Sequence, residues 1–310
     1  MSETYFKIRN YRPGDFDNYV RVHTESNKFD QSRRSISRQH LAEDLEHPSF
    51  QPENNLFVAE HGGSIIGYAG IFLEAAIKRA ILEGMIHPLH RKKGVATALM
   101  DHTIRHAGKV GSRVLQVCLP QNNLRARNLA SRLGFQFIRH FHGLRLDLNK
   151  ISLPDVEPGG YIIRCLGRDE ADKLTHIQNR AFADSWGFNP NTSTEIEYRI
   201  NLSRSSPENI MMAYLKSRPI GYCWARIMTG ENPAAGSMEG EIHMLGVDPD
   251  FRKQGIGRNI LRAGLVDLKK KGVAIVELTA DGEDPVALGL YESMGFEVYS
   301  RIEWYEKKLA

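Results

Sequence analysis

Leu245-Gly246-Val247-Asp248-Pro249-Asp250-Phe251-Arg252-Lys253-Gln254-Gly255-Ile256-Gly257-Arg258 decides the fold. An apolar run ends in Asp-Pro, and a basic, glycine-punctuated turn then opens a stretch with Ile256, Ile260, Leu261, Leu265 and Leu268 at helical spacing. The order is strand, loop, helix. A helix start leaves backbone N–H groups unpaired and carries the positive end of the dipole, so a turn that aims those groups outward seats a phosphate. Gly255 and Gly257 remove the Cβ atoms that would hold a pyrophosphate off the backbone, and Arg252, Lys253 and Arg258 bring charge around it. In isolation an ordinary glycine-rich connection reads the same way. The stretch is neither Gly-x-x-x-x-Gly-Lys-Ser/Thr nor Gly-x-Gly-x-x-Gly followed by a ribose-binding acid.

Recurrence strengthens the signal. Ile86-His87-Pro88-Leu89-His90-Arg91-Lys92-Lys93-Gly94-Val95-Ala96 leads into a second helical pattern of Val95, Leu99, Met100 and Ile104. Arg91 and Arg252, Pro88 and Pro249, Gly94 and Gly255, and Ala96 and Gly257 all stand 161 residues apart. The interval holds through Val114-Leu115 with Ile275-Val276, Ala126 with Ala287, and Gly134-Phe135 with Gly295-Phe296. Upstream, Ile66-Gly67-Tyr68 pairs with Ile220-Gly221-Tyr222 at 154, and Ile8-Arg9 with Ile163-Arg164 at 155. Thr229 to Gly236 reads as the longer loop that absorbs the difference. One interval kept across strand, loop and helix is a duplication.

The 310 residues thus divide into an N-terminal domain over 1–149, a linker over 150–160 rich in proline and glycine, and a C-terminal domain over 161–310. A hydrophobic content of 41% is that of a globular protein, and a net charge of +4 does not by itself argue for nucleic acid or membrane, neither of which is expected as a partner. Basic residues cluster locally, in the two loops and in Lys269-Lys270-Lys271, which reads as a helix end capped by Gly272. Cys118, Cys165 and Cys223 sit in apolar, strand-like surroundings and read as buried thiols of a reducing compartment. With no signal-peptide core at Met1-Ser2-Glu3-Thr4 and no long apolar run, the expected location is cytoplasmic. No metal is expected.

Each half predicts a first strand, two helices, a hairpin, a strand into the phosphate loop, its helix, a strand, a further helix and a late pair of strands. In the first half that late pair spans Phe135 to Leu148. The strands flanking the phosphate helix need a parallel crossover.

Arg-x-x-Gly-x-Gly/Ala in both halves, with Asp284-Pro285-Val286-Ala287, Leu290-Tyr291 and Gly295-Phe296 in the second, resembles the GCN5-related N-acetyltransferase (GNAT) fold over nearly the whole chain. The tandem arrangement resembles mycothiol synthase and its relatives. The resemblance implies a mixed α/β class, α+β-like: two tandem folds, each a mostly antiparallel sheet with a splayed parallel strand pair around the phosphate-loop helix. It also implies acetyl-CoA, or another short acyl-CoA, as co-substrate. Leu245, Gly246 and Val247 would bond the pantetheine like an added strand, and Arg252, Lys253, Gln254, Gly255, Ile256, Gly257 and Arg258 would cradle the pyrophosphate. Met85, Ile86, Arg91, Lys92, Lys93, Gly94, Val95, Ala96 and Thr97 are the first-half equivalents. Asp284 stands where many relatives carry the asparagine that the first half keeps as Asn123; an ionised carboxylate accepts hydrogen bonds but donates none.

Acyl transfer to an amine needs an acceptor stripped of its proton, a stabilised oxyanion and a donor for the departing thiolate. By resemblance Tyr291 is that donor, while its first-half counterpart is Ala130, so catalysis is expected in the C-terminal domain. The N-terminal half then binds coenzyme or substrate, or only supports the fold. Glu241 would relay the amine proton; period two puts Glu241, His243 and Leu245 on one face, His243 being the weaker base. Phe182, Asp184, Trp186, Phe188 and Trp304, with Tyr305, are the candidate acceptor contacts. The expected activity is acetyl transfer to a primary amine of a small molecule or peptide, by a monomer of two pseudo-twofold tandem domains. The competing reading is a non-catalytic acyl-CoA-binding or sensing protein.

Overall fold

The computed structural model describes residues 5–30, 36–154, 159–228 and 238–309. The loop expected at Thr229 to Gly236, part of the linker and the first four residues lie outside the described residues. In chain order the elements are β1 (Lys7–Asn10), α1 (Phe16–Phe29), α2 (Arg38–Leu45), α3 (Pro52–Asn55), β2 (Leu56–His61), β3 (Ser64–Glu74), β4 (Arg79–Ile86), α4 (Val95–Lys109), β5 (Val114–Pro120), α5 (Leu124–Arg132) and β6 (Gln136–Asp147). There follow β7 (Ile162–Cys165), α6 (Ala171–Phe182), α7 (Ser193–Ile200), β8 (Ile210–Leu215), β9 (Arg218–Met228), β10 (Met238–Val247), α8 (Ile256–Lys270), β11 (Val273–Asp281), α9 (Pro285–Ser293) and β12 (Glu297–Lys308). Among the described residues no helix is long and apolar enough to cross a membrane.

The chain forms two compact units, one of Met1–His140 with Ile302–Ala310, the other of Phe141–Arg301. In the first, β1 to β4 run antiparallel in sequence order, β4 and β5 pair in parallel, and Ile302–Lys308 of β12 lies antiparallel on β5. In the second, β7 to β10 run antiparallel, β10 and β11 pair in parallel, and Phe141–Asp147 of β6 lies antiparallel on β11. Each unit is therefore the mixed sheet the sequence predicts, with the parallel crossover around α4 or α8.

A cut at residues 149 and 161 does not follow this division, because the two halves exchange their final strands. The expected late hairpins are absent for a local reason. Glu297 to Lys308 contains no glycine, proline or asparagine, and in Gln136 to Asp147 the single glycine, Gly143, packs so closely on Ser300 that a Cβ would stand 2.1 Å from its Oγ. Neither run has turn chemistry, so each continues straight.

Helices cover both faces of each sheet. On α8, Ile256, Ile260, Leu261, Leu265 and Leu268 are all at most 2% exposed and pack on β9 to β11, as their spacing predicts. The opposite face buries Trp224, Tyr222 and Tyr214 beneath α6 and α7. All three cysteines are free. Cys223 is buried and its thiol is pushed up to about 12 by desolvation, but Cys165 is exposed, a correction that follows from β7 being an edge strand.

A repeated lock ties each first strand to the next helix. Arg9 holds Asp15, which accepts from Arg12 N, and Arg164 holds Glu170, which accepts from Gly167 N. The Arg164 hydrogen bonds depress the Glu170 carboxyl far below its ordinary range, with Lys173 and Tyr214 adding to them. A depressed carboxylate stabilises the fold above its unfolded pKa of about 4.3 and loses that contribution as pH falls toward the folded value. Glu170→Gln is expected to lower stability by about 2 kcal/mol at pH 7. Denaturant titrations should show that deficit shrinking steadily below about pH 4.

Candidate active site

The glycine-marked loop before α8 has the same unusual backbone as the one before α4. Lys253 and Gly255 take φ of 61° and 77°, Lys92 and Gly94 of 62° and 81°. Left-handed φ is strained for lysine, and such strain collects at functional loops. A left-handed turn of this kind at a helix start can converge successive amides on an anion, and α8 and α4 both open on one. Beneath the second loop lies the fully buried Asp248, which accepts from Asp250 N and pairs with Arg180 at 2.7 Å and Arg218 at 2.8 Å.

The loop side chains divide their work differently from the expectation. Arg252 donates to the carbonyls of Val247 and Ala181, and Arg91 donates to Ile86 O and forms a forked pair with Asp30. Both arginines hold the strand end to the loop. Ile256 and Val95 are buried helix anchors. Lys253, Gln254, Arg258, Lys92 and Thr97 stay exposed, while Lys93 bonds Tyr5 Oη and Arg258 bonds Ser293 Oγ. No atom lies within 4 Å of a Cβ built on Gly255, so Gly255→Ala strains the backbone by only about 1–2 kcal/mol. It sets a methyl group against the expected diphosphate. Calorimetry should show CoA affinity falling by roughly tenfold or more, with the folded state kept.

Parallel pairing stops at Glu241–Glu277 in the second unit and at Leu82–Val117 in the first. Beyond those pairs the strands part, and Leu245, Gly246 and Val247, like Met85 and Ile86, lie on β10 and β4 without the parallel neighbour. A bulge between Ile242 and Met244 breaks period two. It overturns the expectation of one face for Glu241, His243 and Leu245. Ile242, Leu245 and Val247 pack on the α8 side, while Glu241 faces across from Arg226, and Met244 packs with Trp224 under α6 and α7.

On that second face Arg226 Nη1 donates to His243 Nδ1 at 3.1 Å. Burial, then Arg226, Arg199 and Arg204, hold the imidazole well below its usual range. A neutral ring whose Nδ1 already accepts is a poor base. The buried Glu277 opposite Glu241 is held by Arg145 and by Tyr299 Oη. Tyr291 sits on α9 at 8% exposure, edge-on to Phe296 with centroids 5.8 Å apart. Burial, then Cys223 and Asp284, raise its phenol well above 10. Ala130, its counterpart, is buried on α5.

Asp284 caps α9 by accepting from Val286 N and Ala287 N, and Asn123 caps α5 by accepting from Ala126 N. A capping role accounts for both residues, and a carboxylate at a helix start is favoured by the dipole. Phe182 lies over Gly246, Trp186 meets Phe141 at 6.0 Å, Asp184 is exposed after α6, and Phe188 is half-buried beyond it. Trp304 and Tyr305 are not among them: they pair with Cys118 and Val117 in the first unit. Sequence reasoning passed over Gln178 and Asn189 on this face, whose Oδ1 or Oε1 atoms are buried without a partner. Two polar residues flanking a predicted aromatic cluster were the available signal.

The sequence matches the Acetyltransferase (GNAT) family over residues 20–135 and again over 171–296, so the chain belongs to that family of N-acetyltransferases in tandem form. It is similar to the mycothiol acetyltransferase of Sanguibacter keddieii, with 31% identity over 240 residues that cover 75% of each chain. The fold is similar to a GCN5-related N-acetyltransferase from Sphaerobacter thermophilus, with a TM-score of 0.75 and 21% identity over 99% of this chain and 97% of that one. It is also similar to a tandem GNAT protein from the clavulanic acid biosynthesis pathway, with a TM-score of 0.74 and 17% identity over 98% of each.

Proposed function

We propose that the second unit transfers an acetyl group from acetyl-CoA, or another short acyl-CoA, to a primary amine of a small molecule or peptide by direct attack. One observation carries this reading: the left-handed loop at the start of α8, the parting of β10 and β11, Tyr291 and Glu241 all fall within Phe141–Arg301. The loop amides would hold the diphosphate, and the unpaired edge of Leu245 to Val247 would bond the pantetheine amides. Glu241 takes the amine proton, through water where the gap requires it. Tyr291, held protonated far above the thiol range, donates a hydrogen bond to the departing sulfur.

The first unit keeps the loop dihedrals but carries Ala130 and spends Arg91 on Asp30, which favours coenzyme binding without transfer there. Because of that alanine, an acyl-CoA-sensing protein is the second reading. The enzyme would work in the cytoplasm as a monomer, with neither nucleic acid nor membrane as partner. The experiment is release of CoA thiol from acetyl-CoA by the purified full chain across an amine panel, with product masses recorded. The amine precursor of mycothiol goes first in the panel. No thiol release above the hydrolysis background, with acetyl-CoA bound, would favour the sensor.

A further inference from the structure

Tyr222 on β9 is fully enclosed, at 0% exposure, and its Oη has no hydrogen-bonding partner. Buried hydroxyls are almost always satisfied, by protein, water or ligand. The register sets Tyr222 opposite Gly246 on β10. A Cβ on Gly246 would stand 2.7 Å from Tyr222 Cε1, 2.9 Å from Ala181 Cβ and 3.1 Å from Phe182 Cε2. The ring therefore lies across the β10 backbone, in the space a side chain would fill. Gly246 lies past the Glu241–Glu277 pair, so the Tyr222 ring borders the stretch of β10 that has parted from β11.

The first unit closes the equivalent route. Tyr68 is the counterpart of Tyr222, but it faces Met85 rather than a glycine, and it packs against a second tyrosine, Tyr19, whose ring centroid is 4.6 Å away. The residue matching Tyr19 in the second unit is Leu174, which has no hydroxyl to offer. The unit that keeps the α9 tyrosine is thus also the unit that leaves this hydroxyl unclaimed.

We infer that Tyr222 Oη donates a hydrogen bond to the thioester carbonyl oxygen of the acyl-CoA bound between β10 and β11, an inference that rests on the coenzyme reading of the second unit. The bond strengthens as the amine adds to the carbonyl carbon and the oxygen takes up negative charge, which returns to the C=O bond when sulfur leaves with its electron pair. Tyr222 keeps its proton throughout. Burial holds its phenol well above the ordinary range, so at neutral pH it is a donor and never an anion.

The test is carbon NMR of acetyl-CoA labelled at the carbonyl, bound to the full chain. In the wild type the carbonyl resonance should move downfield on binding, because a hydrogen bond polarises C=O. In Tyr222→Phe it should return toward the free position, with acetyl-CoA affinity within about threefold of wild type and the ligand-free melting temperature equal or higher. Leu174→Tyr, which offers Tyr222 the partner that Tyr19 gives Tyr68, should also abolish the shift and covers the case of a variant that folds poorly. With an accepted amine, kcat should fall roughly a hundredfold in Tyr222→Phe. An identical carbonyl shift in wild type and Tyr222→Phe overturns the inference alone. Failure of acetyl-CoA to bind the wild type overturns the coenzyme reading as well.

Discussion

Tyr291→Phe is expected to lower kcat by roughly a hundredfold or more, the range of a positioned acid in group transfer, while leaving CoA affinity and melting temperature close to wild type. The phenyl ring keeps its edge contact with Phe296 and its place in the α9 core. Only the hydroxyl proposed to meet the leaving sulfur is lost. Stopped-flow detection of thiol release separates this from a binding defect, since KM for acetyl-CoA should stay within about threefold. Turnover unchanged to within about twofold would remove Tyr291 from the mechanism. The reverse change, Ala130→Tyr, should not awaken the first unit, because one hydroxyl supplies neither the Glu241 position nor a glycine opposite Tyr68.

Truncation after Arg301 is expected to unfold the N-terminal unit and spare the C-terminal one. Residues Ile302–Lys308 form the strand that covers β5, and they carry Tyr305, 5% exposed, whose burial alone is worth about 2–3 kcal/mol. Their removal also takes away the Glu303–Arg127 ion pair, the Glu306 partner of Gln116, and the Lys307 bond to Leu133 O. Hydrogen exchange should show the amides of Val114–Pro120 losing protection while those of β10 and α8 keep theirs. CoA binding at the second loop should persist. Uniform loss of protection in both units would contradict the strand exchange.

The chain reveals its repeat, the two glycine-marked turns that open α4 and α8, and the buried stripe of α8 openly, because those depend on local spacing and on glycines. The exchanged strands are not legible. A strand's alternation says which face is buried, never which sheet it joins, and Gln136 to Asp147 would read the same beside β5 or β11. The bulge at His243 is equally silent, since one extra residue changes every facing after it without changing composition. Arg252 and Arg91 read as phosphate ligands because they are cationic and adjacent to the loop. Only the fold shows that carbonyls and Asp30 already engage them. Asp284 and Asn123 looked like a mismatch between the halves, yet Asp284 caps α9 and Asn123 caps α5.

The traded strands also constrain how this gene could have evolved. Once each copy depended on the other for its outermost strand, neither could be deleted or recruited elsewhere without ruining its twin. On the proposed division of labour, the first copy, with Ala130 on α5, stays indispensable whatever its chemistry: selection could relax on what it does but not on whether it folds.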